Sequence, residues 1–498
     1  MVFVHPQAAK RNAQLHRRME ALAANLPDRR GSPGLAHRFN QASRWFPPPL
    51  VWLVLGLLAL GYRRTRGGAA LAAPAVAGLF VIVASALGLP AEPHYSVPVA
   101  PAFVLLAGGA LFAPRQAVSP GYVRALARLG LGLAAAVFAV LVYASTLDAY
   151  VDGAGAPHDL DVFLRAAGKV LDGASPYGFH GDRTFAYPPF LAYLVSPLHP
   201  LSGSAAAILW TLLSLAALVL ALWLLEVRDW RCYGLAGVYL FTRSAVDLGT
   251  IEPLLLLAVA AVWRWRDRLV QPAAAAGAAI ALKLFLWPLA VWLALMRRVR
   301  TAAATVAFAV GLAAVAWAAI GFAGLGDYPG LLRKLADHES SSSYSVVALG
   351  VRAHLPLAAA RVVAVVVALA LLAAAAWVAR DDRRAQRERD VATLTLCLAA
   401  ALAASPIVWI HYFVLLLVPL ALTRPRFTPL WLVPLAYYPL GEAAWPAGDA
   451  RKLGLALVAT LVIFGATLLS TIAPDWRPAP RPTRRLRLLS WSQIRSGT

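Results

Sequence analysis

The residue types suited to chemistry gather in one polar interval, residues 159–198, DLDVFLRAAGKVLDGASPYGFHGDRTFAYPPFLAYLVSPL, within a chain otherwise dominated by Ala, Leu and Val. Asp159 and Asp161 are each suited to act as a general base that takes a proton from an attacking hydroxyl. An ordinary solvated loop carboxylate is the competing description of both. The pair also spells D-x-D, which in enzymes using nucleotide sugars holds a metal against a diphosphate. No third ligand stands nearby, so no metal site is assigned and the use of a divalent metal stays open. Asp161 and Arg165 are four apart, a spacing that pairs side chains on one helical face. Gly173 and Pro176 end that helix, and an aromatic stretch with Tyr177, Phe185 and Tyr187 follows.

Further candidates sit inside apolar segments, where ionisable groups are costly and usually functional. Lys283 in AAIALKLFLWPLAV carries a mid-span penalty of about 2.5–3.5 kcal/mol. It either snorkels to the interface or binds a lipid phosphate. His411 in SPIVWIHYF is a satisfied structural histidine or a contact to phosphate or sugar. Arg183 is a further base for a phosphate. Glu252, beside Asp247, stands at a helix start, where the dipole alone favours an acid; a sugar contact is the alternative. Tyr177, Phe185, Tyr187 and Trp409 suit an interfacial aromatic belt or stacking on a sugar ring. Ser345 closes the run Ser340 to Ser345, either a low-complexity linker or part of an acceptor-binding loop with His338, Glu339 and Arg352.

Positioning these groups falls to membrane helices. The chain has 498 residues, 60% hydrophobic and 14% charged, against about 25% charged in a soluble domain. An all-α polytopic membrane protein of about 12–15 membrane segments is expected, counting roughly 20 residues per span. The net charge of +22 is spread in short clusters between apolar spans, which is the positive-inside pattern and excludes a nucleic-acid partner in favour of anionic lipids. That pattern puts the loops 148–188 and 321–354 on the external face. Residues 1–48 read as a basic N-terminal segment and 49–115 as extra membrane helices. Residues 120–475 form the main membrane domain, and 476–498 a basic cytoplasmic tail. The segment Gln271 to Met296 has bases at both ends and is expected to split into two half-helices near Lys283. Cys232 and Cys397 fit no metal spacing and no disulfide framework.

In order, DLDVF, GASPY, F-x-YPP and SPL resemble the first external loop of the membrane glycosyltransferases of family 87. GAAIALKLFLWPL is similar to that family's lysine-bearing helix, SPIVWIHYFVLLLVPL to its late SP-x-x-W-x-H segment, and SYSVVALGVR to its serine-containing loop. GTIEP stands where the family often carries a Gly-Gln-x-Asn-like segment. The resemblance implies a GT-C bundle with a functional first large external loop. It implies a multi-pass plasma-membrane enzyme taking mannose, or next arabinofuranose, from a polyprenyl-phosphate donor to a cell-envelope glycolipid or polysaccharide. Asp159 is the family's expected base, with Asp161 second. Lys283, His411 and Arg183 would hold the donor phosphate, and Tyr177, Phe185, Tyr187, Trp409, Ser345 and Glu252 the sugar or acceptor. A single donor phosphate needs no metal, so no cofactor is required. A transporter or flippase of a lipid-linked sugar is the main rival, since a midplane charge on a broken helix suits transporters too.

Overall fold

The computed structural model describes residues 155–440 and 450–472, with scattered positions between 136 and 153. The expected N-terminal segment, the extra helices of 49–115 and the basic tail lie outside the described residues. Those described form an all-α membrane protein. Helix α1, His158–Leu171, and α2, Pro189–Val195, precede the long α3, Gly203–Leu224. Short helices follow: α4, Trp230–Val238, α5, Leu240–Asp247, α6, Glu252–Arg264, α7, Val270–Leu282, and α8, Pro288–Leu295. Then come α9, Val299–Ala318, α10, Tyr328–His338, α11, Val346–Arg352, and α12, Leu357–Ala379. The chain continues through α13, Gln386–Ala404, and α14, Leu417–Thr423, to α15, Ala450–Ile472.

Among the described helices, α3, α9 and α12 are long and apolar enough to cross a membrane, and α5 with α6 would add a span bent by 119°. Several of the expected segments are therefore half-length pieces. Exposed apolar side chains mark the faces turned to lipid: Leu212 and Leu220 on α3, Val310 and Val315 on α9, Val365 and Leu369 on α12. In water such patches would be a liability; in a bilayer they match the solvent. Inside the bundle α7 packs on α9 through small residues. A Cβ at Gly277 would lie 2.5 Å from Phe308 Cβ and 2.9 Å from Thr305 O. Backbones that approach this closely give the van der Waals contact that holds membrane helices together.

The Gln271 to Met296 segment is broken as its charges require. Helix α7 stops at Lys283, which is extended (φ −152°, ψ 105°), a 3-10 turn spans Leu284–Leu286, and α8 resumes at Pro288. The breaks set a depth. From the arginines beside Arg264 and Arg268, the 13 residues of α6 or of α7 rise about 20 Å at 1.5 Å per residue. A hydrocarbon core is about 30 Å thick, so Glu252 and Lys283 end near each other in the third of the bundle farthest from that basic end. Helix α13 begins at Gln386, inside the charged run that follows α12. Asp390 is 1% exposed and held by Arg266 Nε (2.9 Å) and Arg298 Nη1 (2.9 Å). Paired charges of this kind are buried without loss of the helix.

Helix α1 owes its position to amphipathicity. Leu160, Phe163, Ala167 and Val170 recur at spacings of three and four and are buried, while Asp161, Arg165 and Lys169 face away. Its start is pinned to the α5–α6 turn, where Asp159 N donates to Leu248 O at 2.9 Å. Gly249 there has φ +69°, and a Cβ would come 2.7 Å from Pro157 Cγ and 2.9 Å from Leu160 Cβ. Only glycine accepts both that conformation and that approach.

Candidate active site

The start of α1, the loop before α2, the α7–α8 break, α10 and residues 405–412 enclose a cavity of about 480 Å³. Three sequence-expected polar groups converge on it: Asp159, Lys283 and His411. Lys283 is 7% exposed and donates to the fully buried Glu252, with its ammonium 3.7 Å from the centre of the Tyr412 ring. Tyr187 offers a second ring face at 5.3 Å. A buried ammonium is kept charged by such a carboxylate and stabilised by such rings. His411 Nε2 is 3.8 Å from the same Glu252 oxygen, and its buried Nδ1 has no hydrogen-bond partner among the described residues.

Asp159 is set differently. Its side chain is 23% exposed, opening onto the cavity. Its one close partner is His158 Nδ1, 3.2 Å away, and His158 Nε2 lies 3.5 Å from Asp182. Burial, reinforced by Glu252 and opposed by Lys283, raises the Asp159 pKa to about 7. A carboxylate that titrates near neutrality and touches a cavity can take up a proton there. Burial lowers the His158 pKa, although Asp182 works against this, so the neutral imidazole is favoured.

The structure brings Tyr187 and Trp409 to the cavity wall. It sends the other candidates elsewhere. Asp161 is about 200° around the helix from Asp159 and pairs with Arg165 at 3.1 Å on the exposed face. The two carboxylates of D-x-D therefore do not converge. Among the described residues no three His, Cys, Asp or Glu side chains gather as a metal site. Arg183 lies on an exposed 3-10 turn, Gly181–Arg183, outside the cavity wall. Glu252 faces Lys283 and is not part of the wall, because its charge is taken up by the ammonium.

Tyr177 and Phe185 lie behind the wall in an aromatic cluster. The Tyr177 ring is 4.9 Å from Tyr328 and 6.1 Å from Trp317 and Phe185, and its hydroxyl donates to Tyr187 O at 3.1 Å. Tyr328 donates to Ala186 O at 3.1 Å. These contacts hold the loop that presents Tyr187. Ser345 caps α11, accepting from Ala348 N at 3.1 Å, and is buried away from the cavity. Its neighbour Tyr344 donates its N–H to Val408 O at 2.7 Å, which steadies the strand-like approach to Trp409. Arg352 donates to Ser341 O at 2.6 Å, within the same loop.

His158, Asp182 and Tyr412 line the cavity without having been assigned a role from the sequence; Glu339, expected as part of an acceptor-binding loop, lines it too. The immediate neighbours of Asp159 and His411 were the available signal for His158 and Tyr412. Nothing local marked Asp182, which reaches the site through the folding of the loop before α2.

Residues 185–406 match Glycosyltransferase family 87. The chain is also 28% identical over 352 residues, 65% of its length and 75% of the relative's, to a polyprenol-phosphate-mannose-dependent alpha-(1-2)-phosphatidylinositol pentamannoside mannosyltransferase of Mycobacterium tuberculosis. No solved structure matches. Asp159 lies upstream of the family match, while Lys283 lies within it and His411 just beyond it. Over residues 185–406 the chain is thus similar to glycosyltransferase family 87.

Proposed function

We propose that this membrane glycosyltransferase moves mannose, with arabinofuranose as second choice, from a polyprenyl-phosphate donor to a glycolipid or glycan acceptor on the external face of the plasma membrane. One observation carries the reading: a carboxylate with a pKa of about 7 and a paired lysine share one cavity at the end of the bundle away from the Arg264 to Arg268 and Arg297 to Arg300 clusters. The clustering of arginine at the opposite end supports an external site, by the positive-inside bias. The mannose-dependent relative supports the donor.

In this mechanism Asp159 removes the acceptor hydroxyl proton as the oxygen attacks the anomeric carbon. The new C–O bond forms while the bond from that carbon to the phosphate oxygen breaks. Polyprenyl phosphate leaves with the electron pair, and direct attack inverts the anomeric centre. Lys283 has three N–H donors; Glu252 and the Tyr412 hydroxyl draw on two, and the third meets the phosphate as its charge develops. His411 is the second phosphate contact through its unpartnered Nδ1. Glu252 positions Lys283 and keeps it charged, a different task from binding sugar. Tyr187 and Trp409 flank the sugar. The donor's lipid remains in the bilayer beside the half-length helices. No metal is required by this scheme, since one phosphate is held by nitrogen donors.

The test is transfer of labelled sugar from polyprenyl-phosphate mannose, and separately from the arabinose donor, by purified wild type and Asp159→Asn. Transfer by wild type and its loss in the variant are expected. Equal transfer by both would remove Asp159 from the chemistry. Wild type that moves a lipid-linked sugar across vesicles without forming product would favour a flippase.

A further inference from the structure

Glu339 follows α10 and is 2% exposed, yet it lines the same cavity as Asp159. Among the described residues its nearest cationic nitrogen is His338 Nε2 at 3.9 Å, beyond hydrogen-bonding distance. Its carboxylate oxygens, which draw no side-chain donor there, are open to hydrogen bonds from whatever fills the cavity. Burial raises its pKa, as does Asp182, with only His338 opposing.

The chemistry of the missing partner follows from the surroundings. A carboxylate only accepts hydrogen bonds, and with Asp182 nearby it repels a phosphate. Neutral hydroxyl groups fit, and two oxygens side by side match a vicinal diol. His158 ties Asp159 to Asp182, at 3.2 and 3.5 Å from its two ring nitrogens, and Glu339 shares the cavity wall with all three. In a direct displacement the acceptor lies on the side of the base away from the leaving phosphate. The apolar side chains of Leu332 and Leu335, on the same helix, line the wall next to it and suit the carbon face of a pyranose.

We propose that Glu339 binds hydroxyl groups of the acceptor sugar, fixing a neutral polyol on the Asp182 side of the cavity with its attacking oxygen toward Asp159. The assignment to the acceptor rests on the transfer reading above. The test uses full-length Glu339→Gln and Glu339→Ala with an alkyl mannoside as probe. Its binding without donor is followed by the fluorescence of Trp409 and its neighbours, and its KM is measured at saturating donor. Loss of a charge-assisted hydrogen bond weakens affinity about 10-fold to 100-fold. The alanine variant should show that loss in both binding and acceptor KM, with kcat and donor KM changed far less. The glutamine variant, which keeps one oxygen acceptor, should fall between alanine and wild type.

Unchanged affinity in both variants, absence of mannoside binding to wild type, or a larger rise in donor KM than in acceptor KM would each overturn the proposal. Melting curves matched to wild type show that the variants are folded, and the glutamine variant guards against a misfolded alanine one. If wild type binds the mannoside through Glu339 but transfers no sugar, the polyol site stands and the transfer reading fails.

Discussion

Two carboxylates in this protein, the buried Asp390 and the half-buried Asp159, are in opposite electrostatic situations. Asp390 receives Arg266 Nε, two Arg298 nitrogens (2.9 and 3.1 Å) and Gln386 Nε2 (3.2 Å). Trp292 Nε1 donates to its backbone oxygen at 3.1 Å. One side chain thus ties together the α6–α7 connection, the α8–α9 connection and α13. Asp159 has one neighbour at 3.2 Å and an open cavity in front of it. Saturated hydrogen bonding makes the first a structural joint. Incomplete satisfaction leaves the second with proton affinity to use. Helix α9, 20 residues long, keeps the two regimes about 30 Å apart, from Arg298 near one to Trp317 behind the other.

The sharpest way to break this contrast is to exchange the consequences. Asp159→Asn should lower transfer by about 10²–10⁴-fold, the usual contribution of a positioned base, while thermal unfolding stays at or above wild type. Asp390→Ala should do the reverse. It leaves Arg266 without its carboxylate and Arg298 with only the exposed Asp267, and losing one member of a buried ion cluster costs about 3–5 kcal/mol, read as an earlier unfolding transition. A large activity loss in Asp390→Ala at temperatures where it is fully folded would show that the joint also shapes the site.

Acidity gives a second, finer comparison. Asp159 must be ionised to act, so transfer should rise with pH through an acid limb near 7. Stability should move the other way. Its folded pKa lies above the ordinary aspartate value of 3.8, so its stabilising contribution is full below that value and is lost as pH rises through about 7. The Asp159→Asn protein should lack that decline between pH 4 and 7. Glu252→Gln removes a charge that raises the Asp159 pKa, so the acid limb should shift below 7 even where the overall rate falls. A limb that stays fixed would separate the two groups electrostatically.

Smaller effects are expected around the hinge of the site. Gly249→Ala would force a Cβ against Pro157 and Leu160 at a left-handed backbone position. A loss of about 1–3 kcal/mol is expected, together with a lower kcat as the start of α1 shifts. Asp161→Ala removes only a half-exposed helical ion pair. It should change stability by less than about 1 kcal/mol and leave transfer near wild type. A strong loss there would reopen the second aspartate as the base.

Periodicity made α1 legible, because Leu160, Phe163, Ala167 and Val170 repeat on one face. The bases flanking Gln271 to Met296 made the break at Lys283 legible, because one crossing could not have satisfied both ends. Lys283 and His411 stood out because ionisable groups are expensive in hydrocarbon. The fates of Asp161 and Glu252 were not legible. Both are acids near helix starts, and only packing shows one facing outward and the other closed upon an ammonium 31 positions along the chain.

What the chain by itself determined is the all-α membrane class, the short helices and the set of costly polar residues, since hydrophobic period and the price of burying charge are local properties of sequence. What the tertiary structure alone decided is which polar groups satisfy one another. Glu252 meets Lys283, Asp390 meets Arg266 and Arg298, and Asp159 and Glu339 are left facing a cavity, because pairing across loops depends on distances that no local spacing encodes.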